Sequence, residues 1–277
     1  MRLATLAPGK VNLCLFVGRP RADGLHPLVS IVQPVSLADE LVLEPAERDE
    51  VVCPGVDGPN LAARALALFR ETAGWDAPVR ITITKRVPVA AGMGGGSSDA
   101  AATLRLAAAA AGVPVPRELA PRLGSDVPAL LEPGRTLVTG AGEQVEPLAE
   151  GPLGEEPRGL VILRSAHAIS TADVYREADR LGVRDDLAAL EADVRAGARP
   201  FVNDLEAAAR SLCPSIDDAL SALRAMGAEH AMVSGSGPTV FGVFADLHSA
   251  REAAGVRPDA LAVVPAPMDA QAVRELP

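Results

Sequence analysis

Lysine is nearly missing from this chain. Of the 26 basic side chains among 277 residues, only Lys10 and Lys85 are lysines. A lysine kept in such an arginine-rich background points to a position that needs a compact ammonium rather than a planar guanidinium. Cysteine is scarce as well. Cys14, Cys53 and Cys213 are odd in number and show none of the paired spacings of zinc sites or secreted disulfide frameworks, which fits a reducing compartment. Positive charge is in deficit, with a formal net charge of −10 and a pI near 5.0. No local basic stripe offsets it, so no nucleic-acid partner is expected. The chain does not open on a basic segment followed by an apolar run, and the alanine run 107–113 is much too short to span a bilayer. No membrane partner and a cytoplasmic location are therefore expected. His167, His230 and His248 show no metal-ligand spacing, and no period of repeat architectures recurs.

What is present is a globular composition, 48% hydrophobic and 22% charged, which predicts a packed core. The length suits one large or two ordinary domains. Residues 149–159, "AEGPLGEEPRG", are rich in Gly, Pro and Glu, and the boundary between domains 1–154 and 155–277 is expected there.

"KVNLCLFV" (10–17) alternates as a strand, with Val11, Leu13, Leu15 and Val17 on one face and Asn12 on the other beside Lys10. An exposed turn, "GRPRADGLHP", separates it from an apolar strand over 28–35, and another strand is expected near 40–43. "NLAARALALFRETAG" reads as a helix capped by Asn60 and stopped by Gly74. "VRITITKR" is a half-buried strand that leads straight into "PVAAGMGGGSSDAAATL" (88–104) and an alanine-rich helix, capped by one of the serines and stopped by Gly112 and Pro114. Further on come a strand from about 160, a helix capped by Ser170 or Thr171, a helix over 215–226 and two short strands around "SGSGPT". A closing helix then completes an α+β layer with helices on one face of an antiparallel sheet.

The glycine stretch carries the chemistry. Gly92, Gly94, Gly95 and Gly96 let main-chain N–H groups approach a ligand without a Cβ in the way, and the following helix adds its positive end. Together with the Ser97 and Ser98 hydroxyls this predicts a di- or triphosphate site. It is neither a Walker loop nor a dinucleotide fingerprint, because G-x-x-x-x-G-K-[ST] is absent and no acidic partner follows at the right distance. Asp99 is expected to point away from the phosphates, and Lys85 to be a surface lysine at a strand end.

The pattern P-x-x-x-G-[LM]-G-G-G-S-S-[ND]-A-A resembles the phosphate loop of the GHMP kinases, the family of galactokinase, homoserine kinase and mevalonate kinase. "APGKVNLCLFV", "RADGLHPL", "GSDVPALL", "STADVY", "NDLE" and "MVSGSGPTVFGVF" follow in an order similar to that of members acting on 4-diphosphocytidyl-2-C-methyl-D-erythritol. The resemblance implies a two-domain α+β GHMP kinase fold. Its N-terminal ATP-binding domain would be like ribosomal protein S5 domain 2, and its C-terminal domain would be a ferredoxin-like α/β plait, with the active site between them. The implied reaction moves the γ-phosphoryl of ATP, with Mg²⁺, to the 2-hydroxyl of that substrate in the non-mevalonate route to isoprenoid precursors.

The resemblance also implies site residues. Asp126 matches the catalytic base and Lys10 the catalytic lysine that keeps it ionised. Pro88, Val89, Ala90, Ala91, Gly92, Met93, Gly94, Gly95, Gly96, Ser97 and Ser98 match the nucleotide cradle. Asn12, Leu25, His26, Thr171, Tyr175, Gly235 and Gly237 fall to the substrate side, His26 on the cytosine edge and Tyr175 stacked on the base. Leu25 departs from the pattern, standing where relatives carry tyrosine, which puts stacking strength rather than reaction type in question. Gly9 and Pro27 are smaller departures. The Mg²⁺ ligands stay open, with a Ser97 or Ser98 hydroxyl as candidate. Alternatives are a homoserine- or mevalonate-type kinase, an ATP-dependent decarboxylase of the mevalonate branch, and a non-catalytic nucleotide sensor. Lys10 and Asp126 together weigh against the sensor, and "DGLH" with "STADVY" against the others.

Overall fold

A computed structural model describes the chain except for residues 57, 90–91, 149–157, 166 and 199–200. In chain order its strands are β1 (Arg2–Val17), β2 (Leu28–Pro45), β3 (Glu50–Val52), β4 (Val79–Thr84), β5 (Thr136–Thr139), β6 (Gln144–Pro147), β7 (Gly159–Leu163), β8 (His230–Val233), β9 (Val240–Phe244), β10 (Ala260–Val263) and β11 (Arg274–Leu276). The helices are α1 (Leu61–Ala73), α2 (Gly95–Ala111), α3 (Ala120–Leu123), α4 (Val127–Leu131), α5 (Thr171–Leu181), α6 (Leu187–Arg195), α7 (Glu206–Leu212), α8 (Ser215–Ala225) and α9 (Leu247–Gly255). None is long and apolar enough to cross a membrane.

One sheet runs β11-β1-β2-β4-β3, with β5 also paired to β2 and β6 to β5. The apolar segments at 28–35 and 40–43, expected as two strands, are one strand of 18 residues, β2. Ser36, Leu37, Ala38 and Asp39 between them stay in the strand. In the structure Asp39 is fully buried and accepts the N–H groups of Arg86 at 2.5 Å and Val87 at 2.8 Å, so its carboxylate has partners without breaking the strand.

β1 departs from strict alternation for a related reason. Its register against β2 slips between Asn12 and Cys14, a β-bulge that leaves Leu13 extra and reverses which side chains face which way. Val11, Leu13, Cys14 and Phe16 therefore share one apolar cluster, while Lys10, Asn12 and Leu15 line a cleft. The expected grouping of Leu15 and Val17 with Val11 and Leu13 fails at the bulge.

The alanine-rich composition of α2 has a packing cause. All residues from Ser98 to Ala108 are buried, and the small side chains let α1, β1 and α4 approach it from several sides. α1 is capped as expected, Asn60 accepting the Ala62 N–H at 2.8 Å and Gly74 closing the helix at φ 62°.

The other sheet has the order β10-β7-β9-β8 and is antiparallel throughout. With helices between β7 and β8 and α9 between β9 and β10, this is the ferredoxin-like plait. One face, with Leu160, Ile162, Met232, Phe241 and Val243, packs on Val11, Phe16 and Ile31 of the first sheet. The opposite face carries helix residues including Val174, Ala208, Ile216 and Ala250. The expected domain boundary lies in 149–157, outside the described residues. β11 pairs with β1, so the last strand returns to the first sheet, which a division at residue 154 does not anticipate.

β7 runs so close to the start of α9 that a Cβ on Gly159 would overlap the Asp246 carbonyl oxygen and lie 2.5 Å from the Ala250 Cβ. Gly159→Ala is expected to destabilise the chain by about 1–3 kcal/mol, read as a lower guanidinium midpoint. An unchanged midpoint would mean that the sheet and α9 are not in contact there.

Candidate active site

Lys10 and Asn12, two apart on β1, enter a cleft of about 220 Å³ lined also by Ser30, Gly92, Gly94, Asp126, Thr171, Tyr175 and Gly235. Lys10 Nζ donates to Asn12 Oδ1 at 2.8 Å and lies 3.5 Å from Asp126 Oδ2. The lysine side chain is 5% exposed, that of the aspartate 42%. Asn12 is fixed in turn, its N–H donating to Ser234 Oγ at 3.3 Å and its Nδ2 to Ser30 Oγ at 2.9 Å. Asp126 stands at the start of α4, yet its side chain makes no capping bond. It turns to Lys10 instead, leaving the other half of the carboxylate open to accept a proton.

The glycine stretch lies directly against this pair. Lys10 N–H donates to Met93 O at 2.9 Å, joining β1 to the loop. Gly92 and Gly94 have φ of 68° and 67°, in the left-handed region. A Cβ on Gly92 would lie 2.9 Å from Gly237 O, and one on Gly94 3.1 Å from Lys10 Cγ, so neither position has room for a side chain. The loop, Lys10 and the turn between β8 and β9 thus meet backbone to side chain.

α2 begins earlier than expected. Gly94 is its N-cap, with no side-chain capping bond, and Ser97 and Ser98 lie inside its first turn. Helix geometry leaves the N–H groups of Gly95, Gly96 and Ser97 without intrahelical acceptors, and they face a second cavity of about 370 Å³. Pro88, Val89, Gly92, Met93, Asn60 and Cys53 line it too. Ala90 and Ala91 lie outside the described residues. The Ser98 hydroxyl is buried and has no hydrogen-bond partner among the described residues, while Ser97 lines the cavity.

Behind the loop Lys85 is not the surface lysine expected. Its Nζ lies 2.5 Å from Asp39 Oδ2 and 2.8 Å from Asp99 Oδ2, and its side chain is 14% exposed. Burial works against its charge, but the hydrogen bonds to the two aspartates outweigh that and raise its pKa. Asp99, expected to point away from the phosphates, bonds Lys85 but, like Lys85, still lines the loop cavity. Burial pushes its carboxyl up to about 7 even though Lys85 pulls the other way, because one ammonium serves two carboxylates.

On the other side of the cleft a third cavity, about 430 Å³, is lined by Leu25, His26, Ala172, Tyr175, Arg176 and Asp179. The His26 and Tyr175 rings stand 4.9 Å apart at 44°. Burial, with the charge of Asp126 as a lesser cause, pushes the Tyr175 phenol up to about 12, so it stays protonated. Leu25 is 53% exposed at the mouth. Thr171 Oγ1 and Ser236 Oγ are 2.9 Å apart, linking the start of α5 to the β8–β9 turn. Ser170 takes the capping role, accepting the Asp173 N–H.

Several residues with a part in this geometry were not singled out from the sequence. Asn203 Nδ2 donates to both Val233 O and Gly235 O at 2.8 Å, holding the turn that carries Gly235 and Gly237. Asp204 accepts the Val17 N–H at 3.0 Å and Glu206 the Val233 N–H at 3.0 Å. The signal was "NDLE", a short polar motif with three side chains bound to backbone. Lys85, Asp39 and Asp99 carried no signal beyond the rarity of lysine.

Residues 60–132 match the model of the GHMP kinases N-terminal domain, and residues 180–259 that of the GHMP kinases C-terminal domain. The chain belongs to the GHMP kinases. A relative from Streptomyces coelicolor, named 4-diphosphocytidyl-2-C-methyl-D-erythritol kinase, is 41% identical over 279 residues, covering 92% of each chain. One of the same name from Anaeromyxobacter dehalogenans is 44% identical over 269 residues, covering 92% of this chain and 84% of its own. The crystal structure of 4-(cytidine 5'-diphospho)-2C-methyl-D-erythritol kinase superposes with a TM-score of 0.77 at 37% identity, covering 95% of this chain and 100% of that one. A mevalonate kinase at 12% identity and a TM-score of 0.68 shares the fold. This GHMP kinase is an enzyme, a small-molecule kinase with ATP as its phosphate donor.

The buried carboxyl of Asp99 makes stability depend on pH. Its folded pKa is raised from 3.8 to about 7, so the folded chain keeps a proton that the unfolded chain releases. This contribution to stability is present in acid and is lost as pH rises through about 7. For Asp99→Asn, the Tm relative to wild type is expected to climb between about pH 5 and about pH 7 and then level off. A difference that stays flat over that range, read by thermal unfolding in matched buffers, would show that Asp99 ionises like an exposed aspartate.

Proposed function

We propose that this GHMP kinase transfers the γ-phosphoryl of ATP to the 2-hydroxyl of 4-diphosphocytidyl-2-C-methyl-D-erythritol. The observation that carries this reading is the continuity of three cavities. Gly92 and Gly94 line both the loop cavity and the central cleft, and Ser125 and Tyr175 line both the cleft and the His26 cavity. Lys10 and Asp126 stand in the middle one. A triphosphate on one side and a nucleoside diphosphate on the other bring the γ-phosphorus and an acceptor hydroxyl to that pair. Relatives above 40% identity bear the name of the kinase for this substrate.

In this reading residues 88–98 form the cradle, with the first-turn N–H groups of α2 on the phosphates. Asp126 accepts the hydroxyl proton as the oxygen attacks the γ-phosphorus, and ADP leaves with the electrons of the broken P–O bond. Lys10 pairs with Asp126 and offsets charge on the transferred group. Asn12 orients Lys10, and Gly235 and Gly237 close the cleft from the plait side. Thr171 holds the same turn through Ser236. His26 meets the base edge, Tyr175 stacks on one face, and Leu25 covers the other with an aliphatic side chain.

Mg²⁺ fits this site as a companion of the nucleotide. Among the described residues no group of three His, Cys, Asp or Glu side chains forms a metal site, and the side-chain oxygens near the glycines include the Ser97 hydroxyl, Asp99, which is bonded to Lys85, and the open side of Asp126. A donor set that sparse suits an ion carried mainly by phosphates and water. When bound, the ion neutralises charge on the β- and γ-phosphates. The odd number of cysteines, without zinc or disulfide-framework spacing, and the need for ATP fit a cytoplasmic enzyme.

ATP with Mg²⁺ is expected to yield ADP on addition of 4-diphosphocytidyl-2-C-methyl-D-erythritol and not on addition of homoserine or mevalonate. The reverse preference overturns the assignment. Asp126→Asn is expected to lower kcat by about 10²- to 10⁴-fold while leaving the Kd for ATP unchanged. Turnover retained in that variant would remove Asp126 as the base.

A further inference from the structure

His26 enters its cavity with one ring nitrogen already committed. Nε2 lies 2.8 Å from Asp179 Oδ1, and a carboxylate only accepts hydrogen bonds, so Nε2 carries the hydrogen. A neutral imidazole then presents a bare lone pair at Nδ1, which has no hydrogen-bond partner among the described residues. The helix supplies the geometry. Ala172, Tyr175, Arg176 and Asp179 fall on one face of α5 at helical spacing and line the cavity together, so the stacking ring and the carboxylate arrive one turn apart. Arg176 is paired with Asp173 and Arg180 with Glu177, which leaves Asp179 to His26.

We infer that Asp179 is a positioning residue that fixes His26 in the Nε2–H tautomer and thereby makes the site select cytosine over uracil. The inference rests on assigning this cavity to the base of the cytidine substrate. The two pyrimidines share ring size and stacking surface and differ where an amino group replaces a carbonyl at the 4-position. The cytosine amino group donates to Nδ1. The uracil carbonyl there would set lone pair against lone pair and leave both groups unsatisfied in a partly closed site. Leu25 makes this edge contact count for more, since an aliphatic face gives less base-independent stacking than an aromatic one. A site that recognises one hydrogen-bonding group rejects the analogue lacking it far better than apolar packing does.

The test joins a spectroscopic readout to a specificity ratio. In protein labelled with ¹⁵N-histidine, His26 is assigned by comparison with His26→Gln, and its two ring nitrogens report the tautomer. Wild type is expected as Nε2–H, and Asp179→Asn, whose amide offers both a donor and an acceptor, as a mixture. kcat/KM is measured for the cytidine- and uridine-diphosphate-linked methylerythritol, and Kd for CDP and UDP alone. The wild-type preference for cytosine is expected to be about 10- to 100-fold and to shrink about tenfold or more in Asp179→Asn and Asp179→Ala through KM, with kcat retained. If neither linked substrate is turned over, the assigned reaction fails, while the tautomer and the CDP-to-UDP ratio still decide the role of Asp179. An Nδ1–H tautomer in wild type, or an unchanged cytosine preference in both variants, overturns the inference.

Discussion

The ammonium of Lys10 is almost fully buried, and a buried charge is tolerated only with partners within reach. Its partners are the Asn12 amide oxygen at 2.8 Å and the Asp126 carboxylate at 3.5 Å. That requirement governs much of the surrounding structure. Asn12 can serve because strand alternation puts it on the same side as Lys10, and the bulge that follows turns Cys14 and Phe16 into the core. Asp126 can serve only because the short α4 begins at that point with its carboxylate uncapped. The glycines at 92 and 94 follow from the same crowding, since a side chain at either would collide with the β8–β9 turn or with Lys10 itself.

Two polar clusters hold the walls that this arrangement needs. On the plait side, Asn203, Asp204 and Glu206 accept from or donate to backbone on β1, β8 and the glycine turn, so one short segment sets the distance between the sheets. On the loop side, Asp39 accepts two main-chain N–H groups and Lys85, and Lys85 reaches Asp99 in the first turn of α2. Asn203, Asp39 and Asp99 are buried and Asp204, Glu206 and Lys85 half-buried, and charges at such depth are costly if left alone. The two clusters hold the phosphate loop between a strand and a helix whose relative positions they fix.

The split of the open volume into three connected cavities gives the site its division of labour. The loop cavity combines main-chain donors with the Lys85–Asp99 pair on its wall, the middle one holds the Lys10–Asp126 pair beside glycine backbone, and the third has a histidine, a phenol and a leucine together with Arg176 and Asp179. Lysine–aspartate pairs thus flank the glycine stretch on both sides, while ring stacking and hydrogen-bonding direction are set in the third cavity.

Strongly periodic and punctuated segments were legible from composition and order. α1 with its Asn60 cap and Gly74 stop, β4, the glycine stretch before a helix, and the two short strands around "SGSGPT" rest on local conformational preference, which acts within a few residues. The pattern of "GSDVP" and "APGK" likewise pointed to Asp126 and Lys10. What only the tertiary structure decided depends on contacts between residues far apart in the chain. The bulge that re-faces β1, the fusion of two apolar runs into β2 by a buried Asp39, the Lys85 bridge to Asp99 and the pairing of His26 with Asp179 all join partners at least several residues apart, most of them on different elements. No local propensity records such a pairing, because the energy that selects it exists only once burial has removed water from both partners.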